Sequence, residues 1–126
     1  MADYEQTSVT PEILRQSVIN MAVEFWRISK IFDRLLTKLD AGEQNRYKSS
    51  FLWFIKKVEE ALGQAELHIE NVEGLPFDPG MAATPLNIAE FDANDTLMVE
   101  QMIEPIIMGK EGLVKTGTVT LRKVKP

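Results

Sequence analysis

The sequence predicts an α+β protein in which a helical hairpin comes first and a small all-β unit follows. Three observations carry that expectation. Leu14, Val18, Met21, Phe25, Ile28, Phe32, Leu35 and Leu39 recur at alternating steps of four and three, the spacing of a helix with one buried stripe. Phe51, Ile55, Val58, Leu62, Ala65, Ile69 and Val72 repeat the pattern in a phase that does not continue the first, so two helices fold back on one another instead of forming a single rod. From Gly74 onward glycines and prolines replace the helical period, and β-branched residues then cluster up to Val124.

The first helix is expected over Pro11 to Leu39. Thr10 can cap an orphan N–H, Pro11 suits the first helical position because it lacks that N–H, and Glu12 lies at the positive end of the dipole. Beside its main stripe run Ile19, Ala22, Trp26, Ile31 and Leu36, an apolar face wider than one partner helix needs. Asp40 to Asn45 is read as a polar link with Gly42 as the helix stop, and the second helix as Arg46 to Val72. Two such faces cannot cover each other, so a homodimer forming a four-helix bundle is expected, with Phe25, Trp26, Ile28, Phe32, Leu35, Phe51, Phe54, Ile55, Val58 and Leu62 at the interface.

In the second unit Leu86 to Ile88 is a candidate short strand and Asp92 to Asp95 a turn. Leu97–Ile103 and Ile106–Met108 are strands interrupted by Pro105, an edge, bulge or bend; Gly109 to Gly112 is a hairpin loop, and Thr118 to Val124 a final alternating strand. The expected division is a flexible 1–9, a helical dimerisation domain 10–73 and a β-domain 74–126.

Charge narrows the function classes. The net charge is −5, and the second half of the chain carries ten acidic residues against five basic ones. Between Glu66 and Glu104 lie nine carboxylates and no Lys or Arg, which disfavours nucleic acid and anionic membranes and suits a basic protein surface. Arg27, Lys30, Arg34 and Lys38 line one side of the first helix, a surface stripe without the aromatic interleaving of a nucleic-acid site. With no cysteine and His68 alone, zinc and thiol chemistry have no ligands to draw on. Glu59, Glu60, Glu66, Glu70 and Glu73 read as a solvated acidic face. No nucleophile elbow or phosphate-binding loop occurs. No enzyme, no cofactor, no metal and a cytoplasmic location are expected.

The residues Val72-Glu73-Gly74-Leu75-Pro76-Phe77-Asp78-Pro79 resemble the segment that joins helices to the β-domain in the GrpE family of nucleotide exchange factors for Hsp70 chaperones. The tail Lys115-Thr116-Gly117-Thr118-Val119-Thr120-Leu121 is similar to that family's Arg-Pro-Ala followed by an alternating valine strand, with Lys115 and Thr116 in place of the Arg and Pro. The family's histidine three residues after the Phe-Asp-Pro triplet falls at Ala82. The resemblance implies a homodimer whose β-domain presses on the nucleotide-binding domain of an Hsp70 and releases ADP. In that reading Gly74, Leu75, Phe77, Asp78 and Pro79 hold the helix-to-β junction, and Glu66, Glu70, Glu100 and Lys115 are candidate partner contacts. The alternative is a dimeric adaptor that joins an assembly without acting on nucleotide.

Overall fold

A computed structural model describes residues 8–125. Of the expected flexible 1–9, residues 1–7 lie outside the described residues. Helix α1 spans Pro11–Leu36 and begins as its caps dictate, with Thr10 Oγ1 accepting from the Ile13 N–H at 3.1 Å and Pro11 in the first turn. It ends three residues before the expected Leu39, where Thr37, Lys38 and Leu39 donate to carbonyls three residues back and tighten the last turn.

Helix α2 spans Ala41–Gln64, which corrects both of its expected limits. It starts early because Asp40 Oδ1 accepts from the Glu43 N–H at 2.9 Å: Asp followed three residues on by Glu marks a helix start, and it overrides Gly42 as a stop. Gln44 Nε2 reaches back to the Leu36 carbonyl at 2.9 Å and ties the two helix ends together. The helices run antiparallel, with Phe25 against Phe54 at 5.5 Å between ring centroids and Phe32 stacked on Phe51 at 4.7 Å.

The helix expected to reach Val72 stops at Gln64 because the chain turns into strand β1, Leu67–Glu70. Glu66 takes a left-handed backbone angle, φ 59°, to make that turn. Leu67 is buried, His68 exposed, Ile69 half-buried and Glu70 exposed, a period of two where the heptad reading had required seven. Strand β1 pairs antiparallel with β4, so the expected domain break between residues 73 and 74 falls after the first strand, not ahead of the sheets.

The remaining elements are β2 (Ala83–Pro85), a 3₁₀ turn over Ile88–Glu90 where a strand had been expected, β3 (Leu97–Glu104), β4 (Ile106–Gly109), β5 (Gly112–Lys115) and β6 (Gly117–Lys123). They form two three-stranded sheets, β1-β4-β5 and β2-β6-β3, the second with a parallel β2–β6 pair. Pro105 is buried at the corner where the chain leaves one sheet for the other. Gly117 crosses that corner so closely that a Cβ would lie 2.7 Å from the Glu104 carbonyl oxygen and 2.8 Å from Ile106 Cγ1, so only glycine fits.

Each sheet covers its own part of the core, and α1 contributes to both. Ile19, Ala22 and Val23 pack with Leu62 of α2, Leu67 and Ile107 over the first sheet. Trp26 packs with Val72, Val99, Met102, Ile106, Val119 and Leu121 over the second. Chain order, helices then sheets, gives the α+β class.

Candidate interaction surfaces

Helix α1 turns Ile19, Ala22, Val23 and Trp26 into the protein. Those positions follow the i, i+3, i+4, i+7 rule of one helical face. Of the expected secondary stripe Ile19, Ala22, Trp26 and Leu36 are buried and Ile31 is 47% exposed, while Val23 was not expected there. Much of the stronger heptad stripe is left outside. Leu14, Met21, Ile28 and Leu35 are all more than half exposed, while Val18, Phe25 and Phe32 are half-buried. On α2 the expected seam does face inward: Phe51, Ile55 and Val58 are half-buried and Leu62 is buried. Trp53 beside that seam is 63% exposed.

Two of the residues expected between subunits are therefore sealed within one. Trp26 is 8% exposed, and its indole Nε1 donates to the Met102 carbonyl. Leu62 is buried against α1 and the first sheet. Trp26 borders the heptad stripe of α1 and Leu62 belongs to that of α2, and the sequence held no sign that a sheet would cover either. The other eight expected interface residues keep exposure, and Phe25, Ile28 and Phe54 flank an open apolar groove of about 1020 Å³ between the helices, together with Met21 and Ile31.

The segment expected to join helix to β-domain, Gly74 to Pro79, lies instead between β1 and β2, since the chain turns out of the helix at Glu66, eight residues earlier; it is pinned along β3. The Gly74 N–H donates to the Val99 carbonyl, the Val99 N–H to the Leu75 carbonyl and the Phe77 N–H to the Leu97 carbonyl, each at 2.9 Å. Gly74 has φ +82°, an angle L-residues avoid. Phe77 packs into the core of the second sheet, and Asp78 Oδ1 accepts from the Gly80 N–H at 2.9 Å, closing the turn through Pro79. Leu75 stays half outside.

A polar clamp completes the junction. Lys30 Nζ lies 4.5 Å from the centre of the Trp26 ring and pairs with Glu73 Oε1. Glu73 Oε2 accepts from the Met102 N–H at 2.8 Å. Met102 therefore has its N–H held by the junction and its carbonyl held by α1, which locks helix, junction and β3 into one geometry. Neither Lys30 nor Glu73 had been given this role; their shared feature in sequence is only opposite charge, 43 residues apart.

The four expected partner contacts are not brought together. Glu66 sits at the turn into β1, 3.9 Å from Lys110, and Glu70 ends that strand. Lys115 ends β5 and lies 4.0 Å from Glu104, whereas Glu100 stands on β3 in the other sheet, at a bulge between Val99 and Gln101. His68 is exposed on β1 opposite Met108. No group of three His, Asp or Glu side chains able to hold a metal ion occurs among the described residues. Among them, too, no helix is long and apolar enough to cross a membrane. Asp95 is held below its ordinary pKa, chiefly by its hydrogen bond from the Asp92 N–H, with burial opposing and Lys123 adding to the lowering.

Comparison with known proteins returned no matching family, no similar curated protein and no similar solved structure.

Proposed function

We propose that the protein is a homodimeric, cytoplasmic co-chaperone of the GrpE type, which binds the nucleotide-binding domain of an Hsp70 and promotes release of ADP. The observation that carries the reading is the Val72–Pro79 segment. It resembles the family's junction in sequence, and it runs along β3 with Phe77 in the core, although here it follows strand β1 and not the helix itself. A factor that acts by pressing on another protein needs its helical and β parts held in one fixed relation, and the Lys30–Glu73–Met102 clamp supplies that rigidity.

The uncovered stripe supports the dimer. Met21, Ile28 and Leu35 recur at one-heptad steps on the outside of α1. A second copy of the hairpin buries them in a four-helix bundle, together with Phe54. Exchange then needs no catalytic side chain. The factor binds the open chaperone better than the closed one, so factor and nucleotide weaken each other's binding reciprocally.

The test is release of a fluorescent ADP analogue from the host's Hsp70. Acceleration that saturates with added protein supports exchange; an unchanged off-rate at saturating protein removes it. The scatter of Glu66, Glu70, Glu100 and Lys115 over two sheets favours the adaptor reading in that event, since no single face then gathers the charges expected to meet a chaperone lobe.

A further inference from the structure

A second cleft, of about 460 Å³, adjoins the hairpin groove along α1, sharing Arg27 and Ile31 with it, and lies between that helix and residues of strands β3 and β6. Its chemistry differs from that of the hairpin groove. Arg27, Lys30 and Arg34 stand along its helical wall, three members of the basic stripe visible in the sequence. Its floor carries Ile31, Leu86 and Ile103, which are 47%, 59% and 39% exposed. Two of the cations are already satisfied within the subunit, Arg27 by Glu104 at 3.1 Å and Lys30 by Glu73. Arg34 makes no ion pair among the described residues, so the positive charge of the cleft is concentrated at one end.

We infer that this cleft docks a short acidic, leucine-type peptide segment of a partner protein, its apolar side chains on Ile31, Leu86 and Ile103 and a carboxylate on Arg34. The charge fixes the sign of the occupant and the floor fixes its apolar content. A segment of alternating character presents both at once, because successive side chains of an extended chain point to opposite sides. The volume accommodates a few side chains, in the range of specific small sites, and not a folded domain. A phosphate polymer suits it badly. It gains nothing from three exposed apolar residues, and it needs a run of unpaired cations where the cleft offers Arg34 alone.

This inference does not rest on nucleotide exchange, and its test is separate from that assay. Fluorescein-labelled octapeptides of alternating Glu-Leu, Lys-Leu and Glu-Ser are titrated with the protein and followed by anisotropy. The expected result is saturable binding of the Glu-Leu peptide alone, with a dissociation constant of about 100 µM, as suits a few contacts. Arg34→Glu and Leu86→Asp, both at exposed positions, each weaken it at least about tenfold, which corresponds to loss of one charge-assisted or apolar contact. Absence of binding up to about 2 mM, well beyond that expected constant, overturns the inference. So does binding that both variants leave intact. Equal binding of the Glu-Ser peptide, or displacement by a heparin fragment at similar charge concentration, assigns the cleft to polyanions and overturns it too. Finally, dissociation of a dimer by Arg34→Glu in sedimentation assigns the cleft to a second copy of the chain and overturns it.

Discussion

The two tryptophans separate two regions of the molecule. Trp26 sits where α1 meets the second sheet, 8% exposed, its indole N–H bound to a β3 carbonyl and its ring capped by Lys30. Trp53 sits on the outer part of α2, 63% exposed, with Lys57 Nζ 5.5 Å from the centre of its ring. The inner region is complete in one subunit: among the described residues no buried side-chain nitrogen or oxygen lacks a hydrogen-bond partner. On the outer region aromatic pairs hold the helices together, yet Met21, Ile28, Leu35 and Trp53 are left in water. Rigidity is built at the base of the hairpin, and adhesive surface is kept on its flank.

Truncating each tryptophan is the strongest way to break the comparison. Trp26→Ala removes a buried ring and leaves the Met102 carbonyl unpaired, and should cost about 3–5 kcal/mol in urea unfolding. Trp53→Ala should change subunit stability by no more than about 0.5 kcal/mol. Comparable losses from the two would show that the flank is as well sealed as the base.

The flank itself is tested by Ile28→Glu. Under the proposed dimer it puts a charge into the bundle and should weaken self-association by about 2 kcal/mol or more, a shift of some 30-fold read by sedimentation equilibrium. Its effect on the isolated subunit should be slight, since Ile28 is already half in water. At the base, Glu73→Ala leaves the Met102 N–H without an acceptor and separates Lys30 from its partner; about 1–3 kcal/mol of stability should go with it. Lys30→Met, which keeps the apolar stem over Trp26, should cost less.

Smaller effects mark the margins. Glu66→Gly relieves a left-handed angle at the end of α2 and should stabilise the fold by up to about 1 kcal/mol, measured by thermal unfolding. Asp95 should titrate in the folded protein below the ordinary aspartate value of about 3.9, as seen by carboxyl NMR. Because its folded pKa is the lower one, its contribution is present above the unfolded value and is lost as pH falls through the folded one. The turn over Asp92–Asp95 should therefore loosen only in acid.

The sequence made the hairpin legible because the Thr10 cap, the heptads and a phase break across the Asp40–Asn45 link act locally, although the Asp40 cap of α2 went unread. It also made legible the Asp92–Asp95 turn, the strands on either side of Pro105 and the Gly109–Gly112 loop, each marked by its own residues. Strand β1 was hidden. Leu67 and Ile69 satisfy a two-residue period while Leu62, Ala65, Ile69 and Val72 satisfy a heptad, and only pairing with β4, some forty residues on, decides between them. Trp26 was misplaced for a related reason. Helix periodicity tells which residues share a face, and it is silent on which face a distant sheet will choose. The Arg34 end of the second cleft was half visible: the basic stripe could be read from the spacing, whereas Leu86 and Ile103 join it only through folding.

Strand β6 lies in the middle of its sheet, with β2 on one side and β3 on the other, and both wait for it. On a ribosome the hairpin can wind as soon as it leaves the exit tunnel, but until Gly117–Lys123 has emerged β2 has no strand partner and β3 has only the Gly74–Phe77 segment beside it. Nascent chains arrested before that point should be cut readily by protease across residues 83–104, and release of the last strand should close the window in a single step.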